Sequence, residues 1–175
     1  MRIHSEEITL TSAHDDDLVE LDELYAEACG FFNDEWPLPL HTPAECLSGS
    51  DLPEGGLPEN YELLTIRING MLIGYTAIYR DFPGKEYVDI SFIYIGERAR
   101  GCGFGTRAAG LLCTYFAQAG YRRMRVHGVS LRSWGALRFW DRLGFDRVIG
   151  LDAAGEHDDG GFGSVSLEKQ LSVLW

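Results

Sequence analysis

Hydrophobic and polar residues alternate near the start of the chain and then recur at helical spacing. Residues 8–13 alternate apolar and polar side chains, which is the pattern of a strand with one buried face. Apolar residues then follow at intervals of three or four: Leu18, Leu21, Tyr25 and Ala28. This spacing predicts an amphipathic helix, and the three aspartates just before it supply an N-cap and favourable charge.

A loop rich in aromatic residues and prolines separates this helix from a second, short one. Thr42 and Glu45 have the spacing of a capping box, and the proline between them suits the first helical position. Asn69 and Gly70 separate two runs of strand-forming residues, and both accept the positive φ angles of a type I′ turn. Because a third run follows over 85–96, we predict an antiparallel meander of three strands.

The pattern changes after the meander, where helices alternate with strands. Helical spacing predicts one helix over 105–120 and another that begins after Ser133 and stops at Gly144. Further strands are predicted over 121–130, 145–151 and 163–171. The predicted order is β-α-α-β-β-β-α-β-α-β-β, which indicates an α/β fold with a single mixed, mostly antiparallel sheet flanked by helices. No linker is visible, so we expect one domain over residues 1–175.

The composition limits the class of protein. The chain has 175 residues, of which 45% are hydrophobic and 24% charged, as in ordinary soluble globular proteins. Residues 1–7 lack the apolar stretch of a signal sequence, and no run resembles a membrane span. We therefore expect a cytoplasmic protein without a membrane partner. The apolar residues at 171–175 are compatible with a homodimer or with packing on the protein's own sheet.

The net charge of −12 conceals an uneven distribution along the chain. Residues 98–147 contain ten arginines and two acids, whereas the rest of the chain has a net charge of −20. The basic segment would attract a multiply charged anion, and the acidic remainder would attract a cation. A nucleic-acid partner is disfavoured, because the chain as a whole would repel a polyanion and has no basic tail.

The cysteines do not indicate a metal site. None forms a CxxC pair, and none has a histidine at metal-ligand spacing: Cys29, Cys46, Cys102 and Cys113. We therefore predict no bound metal. A nucleophilic thiol at Cys102 is disfavoured, since no histidine in the local sequence would activate it.

The segment 97–112, "ERARGCGFGTRAAGLL", combines three glycines, three arginines and the start of a helix. Glycines allow consecutive N–H groups to point one way, and the helix start adds further N–H groups and its positive dipole end. The segment therefore predicts an anion site suited to phosphate, although a tight strand-to-helix connection would use similar residues. It lacks the lysine of a Walker loop, and a dinucleotide fingerprint would require a parallel βαβ unit and a later acid.

Two motifs resemble those of the Gcn5-related N-acetyltransferase (GNAT) family. Arg100-x-x-Gly103-x-Gly105, between a strand and a helix, looks like its pyrophosphate-binding signature. The run from Ser133 to Phe145 is similar to its second signature, usually written with asparagine and tyrosine where Ser133 and Trp140 stand. The order of strands and helices also resembles that family, so an acyl-CoA N-acyltransferase-like fold is expected over nearly the whole chain.

The resemblance implies acetyl-coenzyme A (acetyl-CoA) as cofactor. Amides of the glycine loop would bind the pyrophosphate, while the preceding strand would bulge away from its neighbour and pair with the pantetheine arm. Arginines are expected near the adenosine phosphates: Arg100, Arg107, and Arg138 or Arg142. The residues expected at the coenzyme site are Ile93, Tyr94, Ile95, Arg100, Gly101, Cys102, Gly103, Phe104, Gly105, Thr106, Ser133, Ala136 and Trp140.

The implied reaction is acetyl transfer to a primary amine, which must first lose a proton. Asp89 and Ser91 are the candidate catalytic residues, because they share a strand face with Ile93 unless a bulge intervenes. Glu97 and His127 are further candidates for the base. Trp140 cannot protonate the departing thiolate as the family tyrosine does, but a thiolate is a tolerable leaving group.

The acceptor pocket is expected between the first two helices, by analogy with the family. Aromatic residues there could form its walls and acidic residues could bind a cation: Phe31, Phe32, Asp34, Glu35 and Trp36. The acceptor is then a small-molecule or peptide amine, such as a polyamine, an aminoglycoside or a peptide amine. Simple packing by the aromatic residues stays open, as does a non-catalytic module that only binds or senses acyl-CoA.

Overall fold

The computed structural model describes residues 1–32, 41–50, 52–53, 55–153 and 162–172. Its strands are β1 (Arg2–His4), β2 (Ile8–Ser12), β3 (Tyr61–Ile68), β4 (Met71–Arg80), β5 (Tyr87–Ile95), β6 (Arg123–Ser130), β7 (Arg147–Ala153) and β8 (Phe162–Gln170). Its helices are α1 (Leu18–Phe32), α2 (Pro43–Leu47), α3 (Phe104–Gln118) and α4 (Trp134–Arg142). The predicted order is confirmed, with one strand, β1, that the sequence pattern missed because it is only three residues long.

The strands form one sheet in the order β1-β2-β3-β4-β5-β6-β8-β7. Neighbouring strands are antiparallel except β5 and β6, which are parallel. This confirms the mixed, mostly antiparallel sheet. The parallel pair is possible because α3 connects β5 to β6. The helix carries the chain back to the end of the sheet where β5 begins, so that β6 can run in the same direction.

Local sequence signals decide several boundaries of these elements. Asn69 and Gly70 have φ angles of 50° and 84°, which confirms the type I′ turn between β3 and β4. The Thr42 hydroxyl accepts from the Glu45 amide at 3.2 Å, and the Glu45 carboxylate accepts from the Thr42 amide at 2.7 Å. The start of α1 differs from the prediction: a 3-10 turn precedes it, and the His14 amide donates to the Asp17 carboxylate at 2.9 Å.

The core has two parts, one on each face of the sheet. Helices α3 and α4 cover one face, where they pack on residues such as Ile66, Ile78 and Ile90. Helices α1 and α2 cover the other face around Tyr75 and Tyr94. Helices on both faces of a sheet leave the ends of the strands as the open part of the fold, where the site described below lies.

No helix in the described residues is both long enough and apolar enough to cross a lipid bilayer.

Candidate active site

Strands β5 and β6 separate part-way along their length. They pair only from Tyr87 to Ile90 on β5 and from Arg123 to Val126 on β6. At the point of separation, β5 has a register shift against β4 that leaves Ser91 unpaired. A gap opens between the two strands toward the end of the sheet, as the family resemblance implies.

The backbone of β5 faces this gap at alternate residues. The Gly96 amide donates to the Ile73 carbonyl at 2.9 Å, which continues the ladder between β5 and β4. Since backbone groups alternate in direction along an antiparallel pair, Tyr94 faces β4 whereas Ile93 and Ile95 face the gap. Two of the three residues predicted to hold the pantetheine arm therefore direct backbone N–H and C=O groups into the gap.

The glycine loop lies between β5 and α3. Gly101 and Gly103 have φ angles of 80° and 79°, a left-handed conformation that favours glycine, and a Cβ at either would meet no atom within 4 Å. Gly103 is the N-cap of α3, and no side chain of the described residues caps this end. The Arg107 amide donates to the Gly103 carbonyl at 3.1 Å, so the amides of residues 104–106 precede the first intrahelical bond. This arrangement suits an anion.

The side chains around the loop have different roles. Cys102 is exposed between the two left-handed glycines. A Cβ on Gly105 would lie 3.4 Å from side-chain atoms of both Ile95 and Phe139. Glycine at this position therefore lets the first turn of α3 approach β5 and α4 closely, which brings the loop next to the gap. Thr106 follows in the first turn of the helix.

Two arginine side chains near the loop, those of Arg100 and Arg107, are paired within the protein. Arg100 donates to the Tyr94 hydroxyl at 2.8 Å and to the Ile95 carbonyl at 3.3 Å, and its guanidinium lies 4.3 Å from the centre of the Phe31 ring. Arg107 binds the Glu7 carboxylate. The Arg100 side chain thus turns toward α1 rather than toward the open loop, because the aromatic rings and acceptors on that side attract the cation.

The second motif lies on α4 and the turn before it. The Ser133 hydroxyl accepts from the Ala136 amide at 3.4 Å and so caps the helix. Trp140 is only 5% exposed, and its ring packs edge-to-face against Phe139 and Phe145 at centroid distances of 4.8 and 4.9 Å. In this structure both motif residues serve the fold. Their predicted contacts with the coenzyme stay predictions.

Asp89 does not share a face with Ile93. Asp89 pairs with Tyr79, whereas Phe92 pairs with Ala77, because the bulge at Ser91 inserts one residue. Asp89 therefore lies on the face of Phe92 and Tyr94.

Arg125 occupies both oxygens of the Asp89 carboxylate, at 2.6 and 2.8 Å, and Asp89 is 8% exposed. This is a bidentate ion pair, in which the carboxylate is neutralised and held. Ser91 is exposed at the bulge, next to the gap.

His127 lies beside this ion pair. Its Nε2 is 3.5 Å from an Asp89 oxygen, its Nδ1 is 3.1 Å from the Ser166 hydroxyl, and its side chain is 50% exposed. The sequence indicated His127 only as a secondary candidate and did not indicate Ser166. Ser166 lies 39 residues further along the chain, and strand β8 brings the two together.

A polar cluster lies at the end of β5, on the side of α1. Glu27 accepts from the Glu97 amide at 3.1 Å and lies 3.5 Å from the Tyr94 hydroxyl. Burial raises the pKa of Tyr94, and the nearby Arg100 guanidinium partly opposes this shift. Sequence reasoning missed Glu27, because nothing in the pattern distinguishes it from the other exposed acids of α1.

Only part of the predicted acceptor pocket can be placed. Phe31 packs edge-to-face on Tyr94 at 5.8 Å between ring centroids and is 44% exposed. Asp34, Glu35 and Trp36 lie outside the described residues, as does the side chain of Phe32. Within the described ranges, no three or more His, Cys, Asp or Glu side chains are grouped so that they could hold a metal ion.

A comparison with protein-family models matches residues 19–145 to the model described as "Acetyltransferase (GNAT) family". The chain belongs to this family. The matched range includes the gap, the glycine loop and the second motif, and it confirms the resemblance drawn from the sequence. The protein is thus an N-acetyltransferase whose cosubstrate is acetyl-CoA.

Solved structures share the fold of this acetyltransferase at low sequence identity. The ribosomal L7/L12 alpha-N-protein acetyltransferase RimL is 15% identical with a TM-score of 0.78, covering 99% of this chain and 100% of its own. A GCN5-related N-acetyltransferase from Kribbella flavida is 22% identical (TM-score 0.69, covering 95% and 99%). The spermidine N-acetyltransferase from Vibrio cholerae is 15% identical (TM-score 0.71, covering 95% and 97%). Curated protein sequences give no match.

Proposed function

We propose that this acetyltransferase moves the acetyl group of acetyl-CoA to a primary amine, either a small cationic amine or a peptide amine. The amine attacks the thioester directly, in a complex that contains both substrates. The observation that carries the proposal is the gap between β5 and β6, which the backbone of Ile93 and Ile95 faces and which ends beside the uncapped start of α3.

The coenzyme would lie along this path. The amides of the loop would bind the pyrophosphate, and the basic segment around the loop would favour its charge. The pantetheine arm would pair with the free backbone groups of β5 like an added strand. The structural neighbours support a coenzyme site in this fold, because RimL and the Vibrio cholerae enzyme were both solved in complex with coenzyme A.

The reaction needs little chemical assistance beyond positioning and proton removal. An N–H group of β5 that faces the gap would polarise the thioester carbonyl and stabilise the oxyanion. The attacking amine is mostly protonated at neutral pH, with a pKa near ~10, so a base is required. A thiolate with a pKa near ~8.5 leaves readily and can be protonated by water, so Trp140 need not act as an acid. Ser91 would line the point where β5 and β6 part. Asp89, whose oxygens are bound by Arg125, would assist proton removal there through neighbouring side chains.

The acceptor is proposed to be cationic. The residues outside the basic segment carry a net charge of −20. The rings of Phe31 and Tyr94 already face the Arg100 guanidinium, so the acidic charge of the chain, rather than these rings, supports a cationic acceptor. The neighbours named for ribosomal L7/L12 and for spermidine represent a peptide amine and a polyamine, and both classes remain candidates for this chain. A single domain, a cytoplasmic location and a homodimer likewise stay predictions.

The experiment is a thermal shift with acetyl-CoA, followed by release of free thiol on mixing with a panel of amines. The panel contains polyamines, aminoglycosides and peptides with a free N-terminus or lysine. We expect acetyl-CoA to raise the melting temperature and at least one amine to accelerate thiol release. A thermal shift without turnover on any amine would favour the second candidate, a non-catalytic acyl-CoA-binding module. The buried Trp140 in place of the family tyrosine supports that alternative.

A further inference from the structure

Strand β7 forms one edge of the sheet, and among the described residues it pairs only with β8. The opposite edge is β1, which has three residues, whereas β7 has seven. An edge strand of this length presents a row of backbone N–H and C=O groups that can pair with another strand. The outer side of β7 is therefore a surface on which a further strand can add to the sheet.

The side chains of β7 do little to protect this edge from pairing. The strand contains neither lysine nor proline, and it carries two apolar side chains that are largely in solvent: Val148 is 57% exposed and Leu151 is 46% exposed. Their partners on β8 are Leu167 and Val165, which belong to the core under α3 and α4. The apolar core thus continues past the last strand of the sheet, and an exposed apolar edge is typical of an association surface.

A bulge at Ile149 decides which side chains of β7 share a face. From Val148 to Leu151, the strand has one residue more than the stretch of β8 that it pairs with, and Ile149 is the extra residue. Simple alternation would put Val148 and Leu151 on opposite faces of the sheet, but the extra residue puts both on the same face. For the same reason, Arg147 and Asp152 lie together on the other face.

This arrangement makes β7 complementary to a second copy of itself. Two copies of one strand that pair antiparallel are related by a two-fold axis, so each contact occurs twice. With the axis just after Ile149, Val148 lies opposite Leu151 of the second copy, and Arg147 lies opposite Asp152 of the second copy. Apolar side chains then meet on one face of the joined sheet and opposite charges meet on the other, and both kinds of cross-strand pair are stabilising.

Other registers lose this match. A shift of one residue would place Val148 opposite Asp152, although these two side chains lie on different faces. Larger shifts would leave fewer residues of β7 paired. In the matching register, Ile149 lies opposite Gly150 of the second copy, which has no side chain to crowd it. A bulge often protects an edge strand, but this one lies at the axis and brings the matching residues to common faces.

We propose that two copies of this protein form a dimer by antiparallel pairing of β7 with β7, which joins the two sheets into one. The interface is the outer edge of Arg147–Ala153. Strands β6 and β8 separate this edge from the gap between β5 and β6, so the dimer does not rest on the proposed function.

The charged side chains of the interface are available for this contact. The Arg147 side chain is 63% exposed and lies 2.8 Å from the Glu168 carboxylate, which Arg123 also binds. Arg147 can therefore bind Asp152 of the second copy while Glu168 keeps a partner. Asp152 is exposed, and its carboxylate accepts from the Ser164 hydroxyl at 3.1 Å, which leaves acceptor positions for a guanidinium.

Sedimentation velocity at increasing protein concentration tests for the dimer. A single strand pair is a small interface, so we expect a monomer–dimer equilibrium in which dimer predominates at about 100 µM. L151K should weaken the dimer at least ~10-fold, because a lysine on each copy replaces an apolar contact. M71K is the matched control: Met71 is 66% exposed in β4, away from this edge, and the variant should dimerise as wild type does. A wild type that stays monomeric, or a dimer that L151K leaves unchanged, overturns the proposal.

Exchange of charges tests the register. D152K places a lysine opposite Arg147 of the second copy and should weaken the dimer. R147D/D152K restores opposite charges and should recover much of the lost affinity, while Arg123 still binds Glu168. Urea denaturation establishes that each variant is folded. A folded double variant that dimerises no better than D152K contradicts the proposed pairing.

Hydrogen exchange locates the interface without any substitution. We expect the backbone amides of β7 to exchange more slowly at high protein concentration than at low concentration, because they become hydrogen-bonded in the dimer. The amides of β1, at the other edge of the sheet, should exchange equally at both concentrations. Concentration-dependent protection that leaves β7 unchanged would show that the copies associate elsewhere and would overturn the proposal.

Discussion

Replacement of Gly103 by alanine tests whether the loop binds the coenzyme. Alanine at the observed φ of 79° costs about 1–2 kcal/mol of stability, because the left-handed conformation crowds its Cβ. A Cβ there meets no atom within 4 Å, so no clash adds to this cost. Alanine also disfavours the left-handed φ itself, so the chain would relax at this residue and turn the amides at the start of α3 away from a common anion. Loss of one charge-assisted hydrogen bond, about 1.5–3 kcal/mol, weakens binding at least ~10-fold.

Gly120 provides a matched control at the other end of the same helix. Its φ is 94°, and a Cβ there also meets no atom within 4 Å, so G120A carries a similar conformational cost. We expect similar losses of stability for the two variants in urea denaturation. In calorimetry, acetyl-CoA should bind G103A at least ~10-fold more weakly than wild type and G120A within about twofold. Equal affinities for the two variants would show that the pyrophosphate does not bind at Gly103.

Two further predictions concern packing and thiol reactivity. A Cβ on Gly74 would lie 2.3 Å from the Tyr94 carbonyl oxygen, so G74A should lower the free energy of unfolding by about 1–3 kcal/mol through displacement of β5. G150A, whose Cβ meets only ordinary contacts at 3.6 Å, should cost less, and urea denaturation that ranks the two in reverse order would contradict this account. Burial raises the pKa of Cys113 to about 11, so at pH 8 little thiolate forms there. Mass spectrometry after alkylation should find the exposed Cys102 modified well before Cys113 and protected by acetyl-CoA, and preferential labelling of Cys113 would refute the prediction.

The predictable parts of the fold depend on short stretches of chain. The Asn69-Gly70 turn, the Thr42–Glu45 capping box and the left-handed Gly103 each follow from the conformational preferences of one or two residues. Such preferences act whatever the rest of the protein does. The left-handed glycine and the helix start, on which the proposed anion site depends, could therefore be predicted from the sequence alone.

The polar groups around the gap could not be predicted in the same way. One extra residue at Ser91 reverses the faces of all residues on one side of it, so Asp89 lies on a different face from the one that simple alternation predicts. The partner of Asp89, Arg125, is 36 residues away in the chain. Local patterns contain no information on such a pairing.

The sequence by itself determined the family, the order of the elements and the loop that is proposed to bind the coenzyme. Only the tertiary structure decided that Arg100 turns toward Phe31, that Glu27 accepts from the Glu97 amide, and that His127 stands between Asp89 and Ser166. The physical reason is the range of the interactions involved. Backbone preferences are fixed within a few residues, whereas the direction of a polar side chain depends on register and on partners from distant strands.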